Sequence, residues 1–376
     1  MAALFVFSGF LLRADPDPSP ASGEIRSRPL YLEAPATILS ACPRPDQRPL
    51  WRFQADQPAS LPAILSAAAV PLPLQEALLA TGITRDEAGN LTLVVPPELV
   101  LRVPAEARQT LYTLLARNPA NPFHAHPVLI PGDLEAWLAE SRLSTRQRGW
   151  LRQLTWRRGN CTAFSDVALL VGMAGSAEEE NAAISTATRV RALVATVTLP
   201  PRPQQRAFLD YWTAGGRNPD AMPFLRAALD QREGSAIDLI HLLPSLCRDA
   251  LYTYPSLADA TGGRLPDCQW TSLNFFSPRP APYYLDPGSS YLELTQGHDQ
   301  IPAPERLGDL ICYVRADGSV VHSCVHLAAD LVFTKNGSSI TAPWLLQSRA
   351  DVDAVYLVNP GDHVRCFRRK DAGGPG

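Results

Sequence analysis

The sequence has no cysteine pair at CxxC spacing, no GxxxxGK(S/T) run, no HExxH signature and no GxSxG elbow. These absences leave a zinc ribbon, a phosphate cradle, zincin chemistry and an α/β-hydrolase nucleophile without support. Charge of either sign is also missing in excess. The formal net charge is −3, so the balance argues for no nucleic-acid partner, and there is no acidic tail. The apolar run Ala2 to Leu12 is too short to span a bilayer as a helix, so no integral membrane segment is expected. It resembles a short signal-peptide core, although no Lys or Arg precedes it. A buried N-terminal strand reads equally well, and cytoplasmic and exported locations both stay open.

What is present is a chain of 376 residues, 46% hydrophobic, long enough for two or three domains. Its 36 prolines are densest before residue 60 and mark residues 1–60 as a Pro-rich, loop-rich lead with short edge strands at Leu30 to Ile38 and Leu50 to Phe53. Residues 61–253 read as a mainly helical domain. Pro104 opens a helix over Ala105 to Arg117, Asp133 and Ser144 cap the next two, and Ser176 with Glu179 has capping-box form. The helix that Ser176 opens is expected to run to about Val197, and Ala236 to Leu243 to be helical. Asn90 to Val103 reads as a small β excursion. The arginines 142, 146, 148, 152, 157 and 158 read as a solvated helix face, with binding of an anionic polymer or a membrane surface as the sharper alternative. Trp137, Trp150, Trp156 and Trp212 read as core in preference to a sugar-binding groove.

The last third carries the chemistry. Seven scattered cysteines leave at least one thiol free. Cys268 follows a turn and opens a helix-like run to Phe276, a position where backbone N–H groups favour a thiolate and the N–H of Cys268 itself offers an oxyanion site. Leu310 to Arg315 and Ser319 to Leu327 form a hairpin around Ala316-Asp317-Gly318. On its second strand Val321, Ser323, Val325 and Leu327 share one face, and His322, Cys324 and His326 the other. The last three spread over about 13 Å, too far to reach one metal ion. No metal or other cofactor is expected.

Cys268 at a helix start, Gly308-Asp309-Leu310-Ile311-Cys312-Tyr313 and the strand led by His322 resemble the NlpC-type papain-like cysteine peptidases, over roughly residues 260–345. The chain departs from that pattern at Gln269, where Ser is usual, and in His-Ser-Cys-Val-His, where His-Val-Gly-Ile-Tyr is preferred. The resemblance implies an α+β protein whose residues 254–370 form a small papain-like domain, a helix packed on an antiparallel sheet, before a tail at 371–376. It implies a cysteine hydrolase of amide bonds, with Cys268 as nucleophile, His322 as general base, and peptide or peptidoglycan-like substrates. A third polar residue should orient the imidazole. A two-residue turn at Ala329-Asp330 puts Lys335 on the face of His322; one residue more puts Thr334 and Asn336 there. Chemistry favours Asn336, because Lys335 offers the imidazole N–H no acceptor; Asp330 is a further candidate. Gln269 and Tyr254 are candidates for oxyanion or substrate contacts. A non-catalytic binding module on the same fold and a Cys-dependent acyl or amine transferase are the alternatives. Side chains of Cys268 and His322 lying far apart would favour the binding module.

Overall fold

In a computed structural model, the described residues are 21–370 except 46, 55–59, 86, 88, 231–233 and 264. The signal-like run Ala2 to Leu12 and the tail 371–376 lie outside them. The chain is mixed α and β with antiparallel sheets, as expected for the α+β class.

Buried apolar residues divide the chain near residue 190, not at 253. One core runs from Trp51 to Ala183. A second gathers Leu193 to Leu251 together with Trp270 to Leu346, so the segment before 254 builds the same core as the sheet after it. The lead is no separate element either. Ile25–Leu32 pairs along its whole length with Val190–Thr198, and Leu50–Phe53 pairs with Leu91–Val94.

Helices with strong caps lie where the sequence puts them. Ala105–Leu115 follows Pro104; Asp133 accepts from the Glu135 N–H, and Ser144 with Gln147 closes a full capping box over Thr145–Leu154. Two expectations fail. The helix capped by Ser176 ends at Thr186, and Val190–Thr198 is a strand. Ala236 to Leu243 is a short strand, Ala236–Asp238, followed by a 3-10 turn, Leu239–Leu242. Asn90 to Val103 holds one strand, Leu91–Val94, and one helix, Pro97–Leu101. Trp137, Trp156 and Trp212 are buried and Trp150 packs against the first core, as core residues should.

The C-terminal sheet has six strands in the spatial order His298–Ile301, His363–Arg369, Leu310–Val314, Val320–Ala328, Leu331–Lys335 and Trp344–Ser348, every pair antiparallel. One face carries Leu310, Val325, Phe333, Trp344 and Leu346 and belongs to the second core. The helix Cys268–Leu273 packs on this face, against Val320–Ala328 and Leu331–Lys335. The other face carries Ile311, Tyr313, Cys324, Val332 and Cys366 and is covered by Val352 and Tyr356 of the helix Arg349–Tyr356.

Gly308 and Asp309 fix the entry to the sheet. Gly308 has φ +94, and a Cβ there would overlap the Phe276 ring. Asp309 is 1% exposed. It takes a two-pronged bond from Arg368 at 2.8 and 2.7 Å and the N–H groups of Glu305 and Arg306. That is a structural keystone.

Candidate functional site

Sheet pleating decides which residues can meet Cys268. Ser323 lies directly opposite Cys312, and Tyr313 faces His322 across the neighbouring rung. The helix Cys268–Leu273 sits over the Ser323 face, where the Ser272 and Ser323 hydroxyls bond at 3.0 Å. His322 therefore points through the opposite face, and the expected Cys268–His322 dyad does not form.

His322 is a core residue. Its ring stacks on Tyr356 with centroids 4.0 Å apart and planes 3° apart. Nε2 shares a hydrogen bond of 3.0 Å with Thr334 Oγ1, and Nδ1 has no partner. Burial pushes its pKa down to about 3, so the imidazole is neutral at pH 7. His326, on the same face, is held down to about 4 mainly by burial.

The hairpin explains why Thr334, and not Asn336 or Lys335, partners His322. Ala329-Asp330 is indeed a two-residue turn, with Ala329 at φ 50. The register nevertheless shifts between His326 and Ala328, a bulge that places Val325 opposite Phe333. That one extra residue sends Thr334 to the His322 face and Lys335 to the thiol face. Asn336 donates instead to Gln347 Oε1 at 3.0 Å, and its own Oδ1 is buried without a partner. The Tyr254 hydroxyl is also buried without a partner, and burial and the Glu33 carboxylate raise its pKa. Neither residue joins the thiol.

Around Cys268 the structure assembles a different group. Asp267 caps the helix, its side chain accepting from the Trp270 N–H at 2.8 Å. Thr271 Oγ1 donates to the Asp267 carbonyl at 2.6 Å and accepts from Trp344 Nε1 at 3.0 Å, which pins the helix to the last strand. The thiol is 8% exposed. Burial, then Asp267, push its pKa up to about 11; the Ser323 N–H and hydroxyl and the Gln269 N–H act in the opposite direction. Lys335 is 0% exposed. Its Nζ donates to the carbonyls of Gly337 and Ser339 at 2.7 and 3.1 Å and lies 5.6 Å from the Trp344 ring centroid. Burial drags this amine down to about 8, while Asp267 and Cys268 work against the drop. Among the proposed site residues, then, Cys268, Gln269 and Lys335 come together and His322, Asn336 and Tyr254 do not.

Ser323 and Ser272 were missed by sequence reasoning, although a signal existed. Val325 and Leu327 make the Ser323 face the more apolar one, and a packed helix covers the apolar face first. All seven cysteines are free, and Cys42 alone is not buried.

Among the described residues, no group of three or more His, Cys, Asp or Glu is arranged to hold a metal ion, and no helix is long and apolar enough to cross a membrane. Comparisons with protein-family models, with curated proteins and with solved structures each found no match.

Proposed function

We propose that the C-terminal sheet and its thiol helix form a papain-like cysteine hydrolase of amide bonds, acting on peptides of the peptidoglycan type, in which Lys335 takes the role first given to His322. The supporting observation is the shared face. The buried Lys335 amine, lowered to about 8, feels the charge of Cys268, a thiol ringed by the Ser323 and Gln269 donors. In this reading neutral Lys335 accepts the Cys268 proton and the thiolate attacks the amide carbonyl. The ammonium then returns the proton to the leaving amine, and water cleaves the thioester. At pH 7 an amine near 8 is mostly ammonium, so freeing it costs about 1 kcal/mol, and transfer from a thiol near 11 to the neutral amine costs about 4 kcal/mol more. That cost is small beside the barrier reductions enzymes achieve, about 8–23 kcal/mol. It means that the resting thiol is protonated at pH 7.

The position of His322 favours a second reading, a binding module on the same fold that performs no chemistry. Alkylation separates the two. In a Cys42→Ser background, iodoacetamide labelling of Cys268 should follow a pH profile that Lys335→Met moves upward and His322→Gln leaves in place. A Cys268 that labels no faster than denatured-state exposure allows, with the same profile in all variants, supports the binding module and sinks the hydrolase.

A further inference from the structure

The loop after the helix Arg349–Tyr356 touches two hairpins that come from different halves of the chain. A Cβ on Gly159 would lie 3.2 Å from Val358 Cγ1, and a Cβ on Gly361 would lie 2.9 Å from the Ala316 Cβ. The tip joining Trp156–Arg158 to Cys161–Phe164 and the turn joining Leu310–Val314 to Val320–Ala328 therefore converge on one short loop. Each hairpin brings an arginine to this seam. Arg158 is half-buried and Arg315 exposed. Among the described residues neither guanidinium has a hydrogen-bond or ion-pair partner.

Acidic groups nearby are engaged elsewhere. Asp317 accepts from the Ser319 N–H and hydroxyl at 2.9 and 2.6 Å, with Arg315 contributing only at longer range. Asp362 caps its own loop through Val358 and Asn359. Asp351 pairs with Arg191. Arg157 is occupied with Thr162 Oγ1 and the Asn160 carbonyl at 3.2 and 2.9 Å. Burial, and then the like charge of neighbouring Arg315, pull the Arg158 guanidinium below its ordinary value, with Cys161 acting in the opposite direction.

We infer that this seam is an anion-binding site, in which Arg158 and Arg315 together hold a phosphate or carboxylate group between the two halves of the protein. Two guanidinium forks match the oxygens of either group, and the pair's mutual repulsion vanishes once an anion sits between them. The site uses none of the residues around Cys268, so it stands or falls independently of the hydrolase reading.

Thermal unfolding of the full chain at constant ionic strength tests it, with inorganic phosphate or succinate replacing chloride. The expected result is a rise in Tm that follows the logarithm of ligand concentration above a mid-micromolar to millimolar Kd. Arg158→Gln and Arg315→Gln should each remove the rise, and Arg157→Gln should keep it. In chloride alone, Arg315→Gln should melt no lower than the parent, because it removes a like charge from an exposed turn. That variant keeps the test decisive even if Arg158→Gln folds poorly. A rise with phosphate only assigns a phosphorylated ligand, and a rise with both assigns anions of either kind. No rise with either anion, or the same rise in all three variants, overturns the site.

Discussion

Acidification from pH 7 to pH 5 should remove about 4 kcal/mol from the C-terminal half while leaving the N-terminal half within about 1 kcal/mol of its neutral-pH stability. His322 and His326 are buried, with folded pKa values near 3 and 4 against 6.5 in the unfolded chain. Below 6.5 the unfolded chain binds protons that the folded one refuses. Stability is therefore full above 6.5 and falls as pH descends toward the folded values. At pH 5 each histidine accounts for about 2 kcal/mol of that loss. His298, lowered mainly by burial, acts in the same direction. In the N-terminal half His124, lowered to about 3, brings a similar loss. Asp166 offsets most of it. Burial raises its carboxyl to about 6, so the folded state binds a proton there first and gains about 1 kcal/mol at pH 5. A loss of 4 kcal/mol is large beside a typical total of about 5–15 kcal/mol. Urea unfolding at pH 7, 6 and 5, with hydrogen exchange to assign opening to each half, measures both numbers. His322→Gln should remove about half of the C-terminal loss. Equal acid losses in the two halves, or an unchanged loss in His322→Gln, would refute the reasoning. An imidazolium paired with the Cys268 thiolate would titrate above 6.5 and reverse the sign, so the same data test the abandoned dyad.

Four further outcomes are expected. Thr334→Val should cost about 1–3 kcal/mol in urea unfolding, because it leaves the His322 ring without its one hydrogen bond in the core; Thr334→Ser should cost clearly less. Asp309→Asn should cost about 1–3 kcal/mol by weakening the charged hydrogen bonds that the carboxylate takes from Arg368 and from the Glu305 and Arg306 N–H groups, without moving the pH profile of Cys268 alkylation. Gly308→Ala should cost about 2–4 kcal/mol from its positive φ and the Phe276 overlap, read as a fall in Tm. Lys335→Met should stabilise the protein by up to about 3 kcal/mol at pH 7, since the wild-type amine is held charged below 8 at a cost. That advantage should shrink as pH rises from 8 toward 10.5, where the folded wild type has already shed the proton.

Local chemistry made much of the helical region legible. The cap at Ser144, with Gln147 answering three residues later, is an interaction between neighbours in sequence and needs no partner elsewhere. Val190–Thr198 shows the opposite case. Its Ala- and Val-rich run fits a buried helix or a buried strand, and what decides is the pairing of Ile25 with Val197 and Leu32 with Val190. A partner from the far end of the chain leaves no local trace. The division of the cores failed for the same reason. Leu193 and Leu251 join Trp270 and Leu346 only in three dimensions.

The candidate site turned on one residue. Alternation along Val320–Ala328 correctly separated Ser323 from His322, and the two-residue turn at Ala329-Asp330 is present. From those facts a regular hairpin puts Lys335 beside His322. The bulge at Leu327 reverses the result, and nothing in Val325-His326-Leu327-Ala328 marks it, since no glycine is needed there. What selects the bulge is the packing on both faces. Without it, the Lys335 amine would enter the closed cluster of Tyr313, Cys324 and Tyr356, where burying an unpaired charge is worst, and the Thr334 hydroxyl would sit under the thiol helix. With it, the amine reaches the carbonyls of Gly337 and Ser339 and the face of Trp344, and the hydroxyl reaches His322. The same step that satisfies both polar groups takes the histidine away from Cys268 and leaves a lysine in its place.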